Sequence, residues 1–382
     1  MIKTSAFAFQ IPNILKQKTN TNNQQKTVII KPPPPDFDFR TSILSNSTAT
    51  ISKSHPELLD LAQNGSLVVV EKSQYGPVPS WRSEFVEPEV IWILGTNHIS
   101  ECSSIDVKRV IRAVRPDNVV VELCRSRAGI MYTSSDGEMD KGLRSNEFSL
   151  SGNGIFEAVS RSINLGGQTA LALRLLLALF SSKVSSDASR PFGDEFRAAR
   201  KVAEEVGAQI VLGDRPIEIT LERAWKALKW REKLRLIGAI INGITSSSDL
   251  SKNYSEGYLR EKYDEPKSED SSFQLYEQLS YSYSSLLPCL IYERDTYLAW
   301  SLKRSKAVKN CKKVVGVIGK GHMNGVIYAL MADQGDLRFR DLAGYKPAGS
   351  SWVRSIVKDL VRDTVIGILL WQIYEQLKNG LV

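Results

Sequence analysis

The chain has 382 residues, enough at about 150 residues per domain for two or three domains, or for one large domain with extensions. With 42% hydrophobic and 24% charged residues it has ordinary globular usage, which excludes collagen-like, coiled-coil and wholly disordered chains. The net charge of +8 comes from basic residues scattered without a stripe, so nucleic acid is not an expected partner.

The first 60 residues differ from the rest. Residues 1–35 contain no Asp or Glu, carry Lys3, Lys16, Lys18, Lys26 and Lys31, and end in four consecutive prolines. Such a stretch buries too little apolar surface to offset its ordering entropy, and basic, hydroxylated, acid-poor composition is how an organelle transit peptide reads. Arginine is absent before Arg40, which favours a chloroplast over a mitochondrion. The sequence thus divides into a disordered, transit-like segment 1–60, an α/β domain 61–346 and a C-terminal helix 347–382.

From about Leu58, short β-branched runs alternate with amphipathic stretches. Strands are expected at 67–70, 90–94, 118–123, 208–212 and 313–318. Helical spacing covers 106–114, 155–162, 168–180, 195–205, 221–228, 232–241 and 324–332, with a longer helix at 273–303 interrupted near Pro288. Residues 246–271 are Ser-rich and charged without an apolar period, as an exposed insert would be. Alternating strands and helices imply βαβ units and a mainly parallel, buried sheet with flanking helices. Within 352–378, Val353, Ile356, Val357, Leu360, Val361, Val365, Ile368 and Leu369 form an apolar stripe suited to packing on the domain, on a second copy, or in the plane of a membrane surface. A bilayer needs about 20 apolar residues, and no run of that kind is present.

Four cysteines, Cys102, Cys124, Cys289 and Cys311, stand apart without a Cys-x-x-Cys pair, so a disulfide framework and a zinc ribbon are not expected. Of three histidines, His98 and His322 each end a Gly-x-x-His run directly after a strand: Gly95-Thr96-Asn97-His98 and Gly319-Lys320-Gly321-His322. Glu122 ends a third strand, and Gly213-Asp214-Arg215 ends a fourth. Ligands of open parallel sheets bind outside the carboxyl ends of the strands, so these residues are placed to converge on one edge. Two imidazoles with one or two carboxylates suit a first-row divalent metal. Each residue also has an ordinary reading: a loop-bonding histidine, Glu122 paired with Arg125 or Arg127, and a turn at Asp214-Arg215-Pro216. A P-loop frame and a Gly-x-Ser-x-Gly elbow are both missing.

At these positions the sequence resembles the TraB/PrgY/GumN family, with plant-like eukaryotic members nearest. The resemblance runs through residues 93–100, 115–127, 213–217, 219–225, Glu293-Arg294-Asp295 and 317–322, in order, over roughly two-thirds of the chain. It implies a domain similar to erythromycin-esterase (EreA) and ChaN-like proteins. Some relatives are described as divalent-metal-dependent peptidases with two Gly-x-x-His motifs and a glutamate, which here match Gly95 to His98, Gly319 to His322, and Glu122. Bacterial relatives restrain peptide pheromones, and eukaryotic intracellular ones associate with mitochondria. The transit-like start and the 246–271 insert depart from that pattern.

The resulting expectation is a metallopeptidase-like hydrolase acting on peptides. His98 and His322 bind Mn, Co or Zn, with Glu122 as third ligand or as the base acting on water. Asp214 is a candidate fourth ligand, Arg215 and Arg294 are candidate substrate or oxyanion clamps, and Gly95, Gly319 and Gly321 are motif glycines. Two rival expectations are a non-catalytic organelle scaffold or tether, homo-oligomeric or membrane-associated through 352–378, and a haem or small-ligand binder at the same pocket.

Overall fold

The computed structural model describes residues 30–82, 84–97, 100–132, 193–235 and 283–343. Most of the leader, His98, the helices expected at 155–162 and 168–180, the insert 246–271 and the C-terminal stretch 352–378 lie outside the described residues.

Five strands form one sheet: β1 (Leu67–Glu71), β2 (Val90–Thr96), β3 (Asn118–Val121), β4 (Gln209–Leu212) and β5 (Lys313–Gly319). Their order is β1-β2-β5-β3-β4, with β1 antiparallel to β2 and the other pairs parallel. β5, the last strand in sequence, is inserted between β2 and β3. In register, Thr96 lies opposite Gly319 and Val121 opposite Val317, so the carboxyl ends of β2, β5 and β3 share one edge.

Period-2 alternation within each strand sends side chains to two separate cores. On one face Val69, Trp92, Leu94, Val119, Val121, Val315 and Val317 pack against α4 (Glu101–Val114) and α5 (Asp194–Val206); the helices α2 (Leu44–Ser54) and α3 (Leu59–Gln63) contribute Ile51 and Leu61. On the other, Val68, Val70, Ile91, Ile93, Val120, Val314 and Ile318 pack against α7 (Glu293–Lys303) and α8 (Lys320–Met331). Helices on both faces of a mostly parallel sheet make this a mixed α/β fold. α6 (Ile217–Ala227) follows β4, and α9 (Phe339–Ala343) closes the described chain. α7 is preceded by one π-helical turn, Pro288–Tyr292, at the interruption expected near Pro288.

Two glycines set helix-to-sheet distances. A Cβ on Gly95 would fall 2.1 Å from Met323 Sδ, and one on Gly316 would fall 2.8 Å from Leu302 Cδ2. Gly95 therefore serves the docking of α8 on β2, a close approach of protein to protein.

Helical structure begins well before residue 60. α1 (Phe39–Ser42) and α2 bury Phe39, Ile43 and Ile51, so the part of the leader from Asp38 onward belongs to the folded unit. Polar composition hid this, because a few well-spaced apolar residues suffice to seat a short helix. Ser47 on α2 accepts the Val69 N–H at 3.1 Å and donates to the Val69 carbonyl at 3.0 Å, covering the open side of edge strand β1. Upstream of α1, Asn324 on α8 accepts the Phe39 N–H and donates to the Phe37 carbonyl, both at 3.0 Å. Among the described residues, no helix is long and apolar enough to cross a membrane.

Candidate functional site

The strand ends supply the acidic groups. Glu122 extends β3 by one residue through its N–H, which bonds the Val317 carbonyl at 3.1 Å. Its side chain turns to the carboxyl edge. Oε2 accepts the Gly319 N–H at 2.8 Å, at the N-cap of α8, and Oε1 accepts from Arg294 at 2.7 Å. A carboxylate there complements the positive end of a helix dipole. Asp214, just past β4, is ringed by donors. Its Oδ1 accepts the Arg215 N–H at 2.7 Å, and its Oδ2 pairs with Arg127 at 2.5 Å and Arg294 at 2.9 Å.

The cations come from the start of α7, where Glu293, Arg294 and Asp295 follow one another. At about 100° per residue these three side chains point in three directions. Glu293 meets Arg215 and Arg223. Arg294 bridges Glu122 and Asp214. Asp295 reaches His322 in the first turn of α8, with Oδ1 2.5 Å from Nδ1. The other ring nitrogen, Nε2, lies 3.3 Å from Glu122 Oε1. All of these except Arg223 are buried, and burial of so many charges is tolerated only because they are paired. For His322, burial favours the neutral ring, but the Glu122 and Asp295 carboxylates outweigh it and push its pKa up to about 9.

The structure therefore brings Glu122, Asp214, Arg294 and His322 together, beside Gly319 and with Gly321 in the adjoining turn of α8. Arg215 turns elsewhere. It is fully buried, donates to Thr220 Oγ1 at 2.9 Å and to the Cys289 carbonyl at 2.7 Å, and pairs with Glu293. Its contacts join α6 to the π-helical turn before α7. Asp295 and Arg127 complete the cluster; Arg127, expected as a partner of Glu122, pairs with Asp214 instead, and Asp295 had no expected role. For Asp295 the available sign was a run of three charges opening the helix.

A divalent cation was the expectation for this edge. Among the described residues, no group of three or more His, Cys, Asp or Glu side chains is arranged to hold a metal ion. His322 Nε2 and Glu122 Oε1 are nevertheless two adjacent donors of suitable type. A carboxylate on the remote nitrogen of the imidazole, as Asp295 is, is the usual outer partner of a metal-binding histidine. Asp214 faces arginines. Among the described residues, His322 and Glu122 are the two that could contribute to a cation site, and Asp214 is taken up by arginines.

Comparison with known proteins gives a consistent family. A human TraB domain-containing protein is 30% identical over 251 residues, covering 62% of this chain and 61% of that protein. A bovine TraB domain-containing protein is 28% identical over 299 residues, covering 74% and 72%. An uncharacterised protein of Methanocaldococcus jannaschii is 24% identical over 291 residues, covering 76% and 66%. The chain thus spans about 61% of the human relative it matches. The TraB/PrgY/gumN family pattern matches residues 79–335, from the segment before β2 through the end of α8, and includes every strand-end residue described above. The chain belongs to the TraB/PrgY/gumN family.

Proposed function

We propose that this chain is a divalent-metal-dependent hydrolase of peptides, with its site at the carboxyl edge of β2, β5 and β3. One observation carries the reading: His322 Nε2 and Glu122 Oε1 lie 3.3 Å apart in a buried cluster, with the other nitrogen of the ring committed to Asp295.

His322, Glu122 and His98 are the proposed ligands for Mn, Co or Zn. A divalent cation there would supply Lewis acidity, polarising a carbonyl and lowering the pKa of water. Glu122 acts as a ligand held in place by Arg294 and the Gly319 N–H. Arg294 fixes the spacing between the ends of β3 and β4, and Asp214 holds Arg294. A peptide as the substrate class rests on the family resemblance.

The test is metal content of the full chain by elemental mass spectrometry after exposure to Mn2+, Co2+ or Zn2+, beside a His98→Ala/His322→Ala variant. Each is then screened against a peptide library by mass spectrometry. The reading expects about one cation per chain, lost in the variant with folding retained, and peptide cleavage that depends on it. A wild-type chain that takes up none of the three metals refutes it.

A further inference from the structure

We propose that Asp295 is the positioning residue of this site, holding the His322 ring by a hydrogen bond from Nδ1 so that Nε2 is the nitrogen turned toward Glu122, and that Gly325 exists to admit it. For the cation this rests on the reading above; for the geometry of the ring it stands alone.

Three observations carry it. Asp295 is buried, and its Oδ1 lies 2.5 Å from His322 Nδ1, short enough for a charge-assisted hydrogen bond. An acceptor there requires hydrogen on Nδ1, which directs Nε2 to the side where Glu122 stands at 3.3 Å. Gly325 lies three residues after His322, on the same face of α8. A Cβ on Gly325 would fall 1.9 Å from Asp295 Oδ2 and 3.0 Å from Asp295 Cβ, so any other residue would displace the carboxylate. Glycine weakens a helix interior relative to alanine. At this position the missing side chain is what lets α7 bring its carboxylate against the ring.

The dependence runs one way. Asp295 meets its histidine on the side remote from Glu122, so it acts on a cation or substrate only through the ring. Removing it takes away the acceptor that fixes Nδ1 on the side of α7. Outer partners of this kind typically account for about 10- to 100-fold in metal affinity.

The test uses the full chain labelled with 15N at its three histidines, as wild type, Asp295→Asn, Asp295→Ala and Gly325→Ala. His322 resonances are assigned by their loss in His322→Asn, and thermal unfolding confirms folding. The wild type should show a hydrogen-bonded Nδ1–H proton on His322. Asp295→Asn, whose amide oxygen still accepts, should keep it, whereas Asp295→Ala and Gly325→Ala should lose it. Mn2+ affinity by calorimetry should fall 10- to 100-fold in those two and less in Asp295→Asn. A folded Asp295→Ala with the Nδ1–H signal and wild-type Mn2+ affinity overturns the proposal. If Asp295→Ala does not fold, Gly325→Ala decides by the same two readouts. If the wild type binds none of Mn2+, Co2+ and Zn2+, the metal reading falls and the Nδ1–H signal alone judges Asp295: loss in the alanine variants supports its role, and retention overturns it.

Discussion

Lys303, at the end of α7, is fully buried, and its ammonium group has the Gly76 and Leu330 carbonyls as acceptors at 3.3 and 2.8 Å, with the Tyr75 ring 5.0 Å away. Burial, with the neighbouring Arg304 charge, lowers its pKa from 10.5 to about 7, while Glu87 pulls weakly the other way. Between pH 7 and 10.5 the unfolded chain binds a proton at this residue that the folded chain releases. Stability must therefore rise with pH across that window, by up to about 1.4 kcal/mol per pH unit. Linkage with these two values puts the penalty near 4 kcal/mol at pH 7 and near 2 kcal/mol at pH 9. Replacing Lys303 by methionine keeps the packed stem and removes the titration. Neither carbonyl is orphaned: Leu330 keeps the Gly76 N–H at 3.0 Å, and Gly76 keeps Arg304 at 3.3 Å. Two lost hydrogen bonds take back about 1 kcal/mol each. Lys303→Met should thus stabilise the protein by about 2 kcal/mol at pH 7, and its advantage should shrink by about 2 kcal/mol at pH 9. Urea unfolding at pH 7, 8 and 9, followed by circular dichroism, measures both. Parallel pH dependence in the two proteins, or a variant less stable at pH 7, would refute the lowered pKa of Lys303.

Other substitutions test the frame of the site. Arg294→Met leaves Glu122 and Asp214 each short of a buried cation and should cost about 3–5 kcal/mol in urea unfolding; a cost below 1 kcal/mol would mean the bridge is not formed. Gly95→Ala drives a methyl into Met323 and should lower stability by about 1–3 kcal/mol, with a matching fall in melting temperature. Ser47→Ala strips both partners from Val69 on the edge of the sheet, at about 1–3 kcal/mol, and light scattering should show faster aggregation on warming. Unchanged scattering would show that the edge is protected by other means.

Much of the scaffold was legible because parallel strands buried on both faces read as uninterrupted β-branched runs. β2, β3 and β5 were visible as Val- and Ile-rich segments stopped by a polar residue or glycine, and the half-buried edge strand β4 as the shorter run Ile210-Val211-Leu212 before Gly213. The direction of β1 was not, since Leu67-Val68-Val69-Val70 is apolar on both sides whichever way it pairs. Nor does local sequence reveal that β5 enters between β2 and β3, a choice made by packing far along the chain. At the site, the strand-end residues Glu122, Asp214 and His322 were legible for the same reason as the strands. Their partners were not. Whether Asp214 faces a metal ion or a guanidinium depends on where α7 lies, and residue spacing does not encode that. Arg215 illustrates the difference: it sits beside Asp214 in sequence, yet its side chain is spent on Glu293, Thr220 and Cys289.

The clasp between Asn324 and the chain at Phe37 and Phe39 makes the amino-terminal arm a structural member of the helix that carries His322, only two positions from Asn324. That clasp sets how far the chain can be shortened without disturbing the helix. A cut before Pro34 leaves the arm intact, including the turn in which the Phe37 N–H meets the Pro34 carbonyl at 3.0 Å. A cut after Phe39 would release α8 from its tether, and one after Ser54 would also bare the β1 edge at Val69. Loss of the arm would thus loosen the helix that carries His322, so the chain from Pro34 onward counts among the supports of the site.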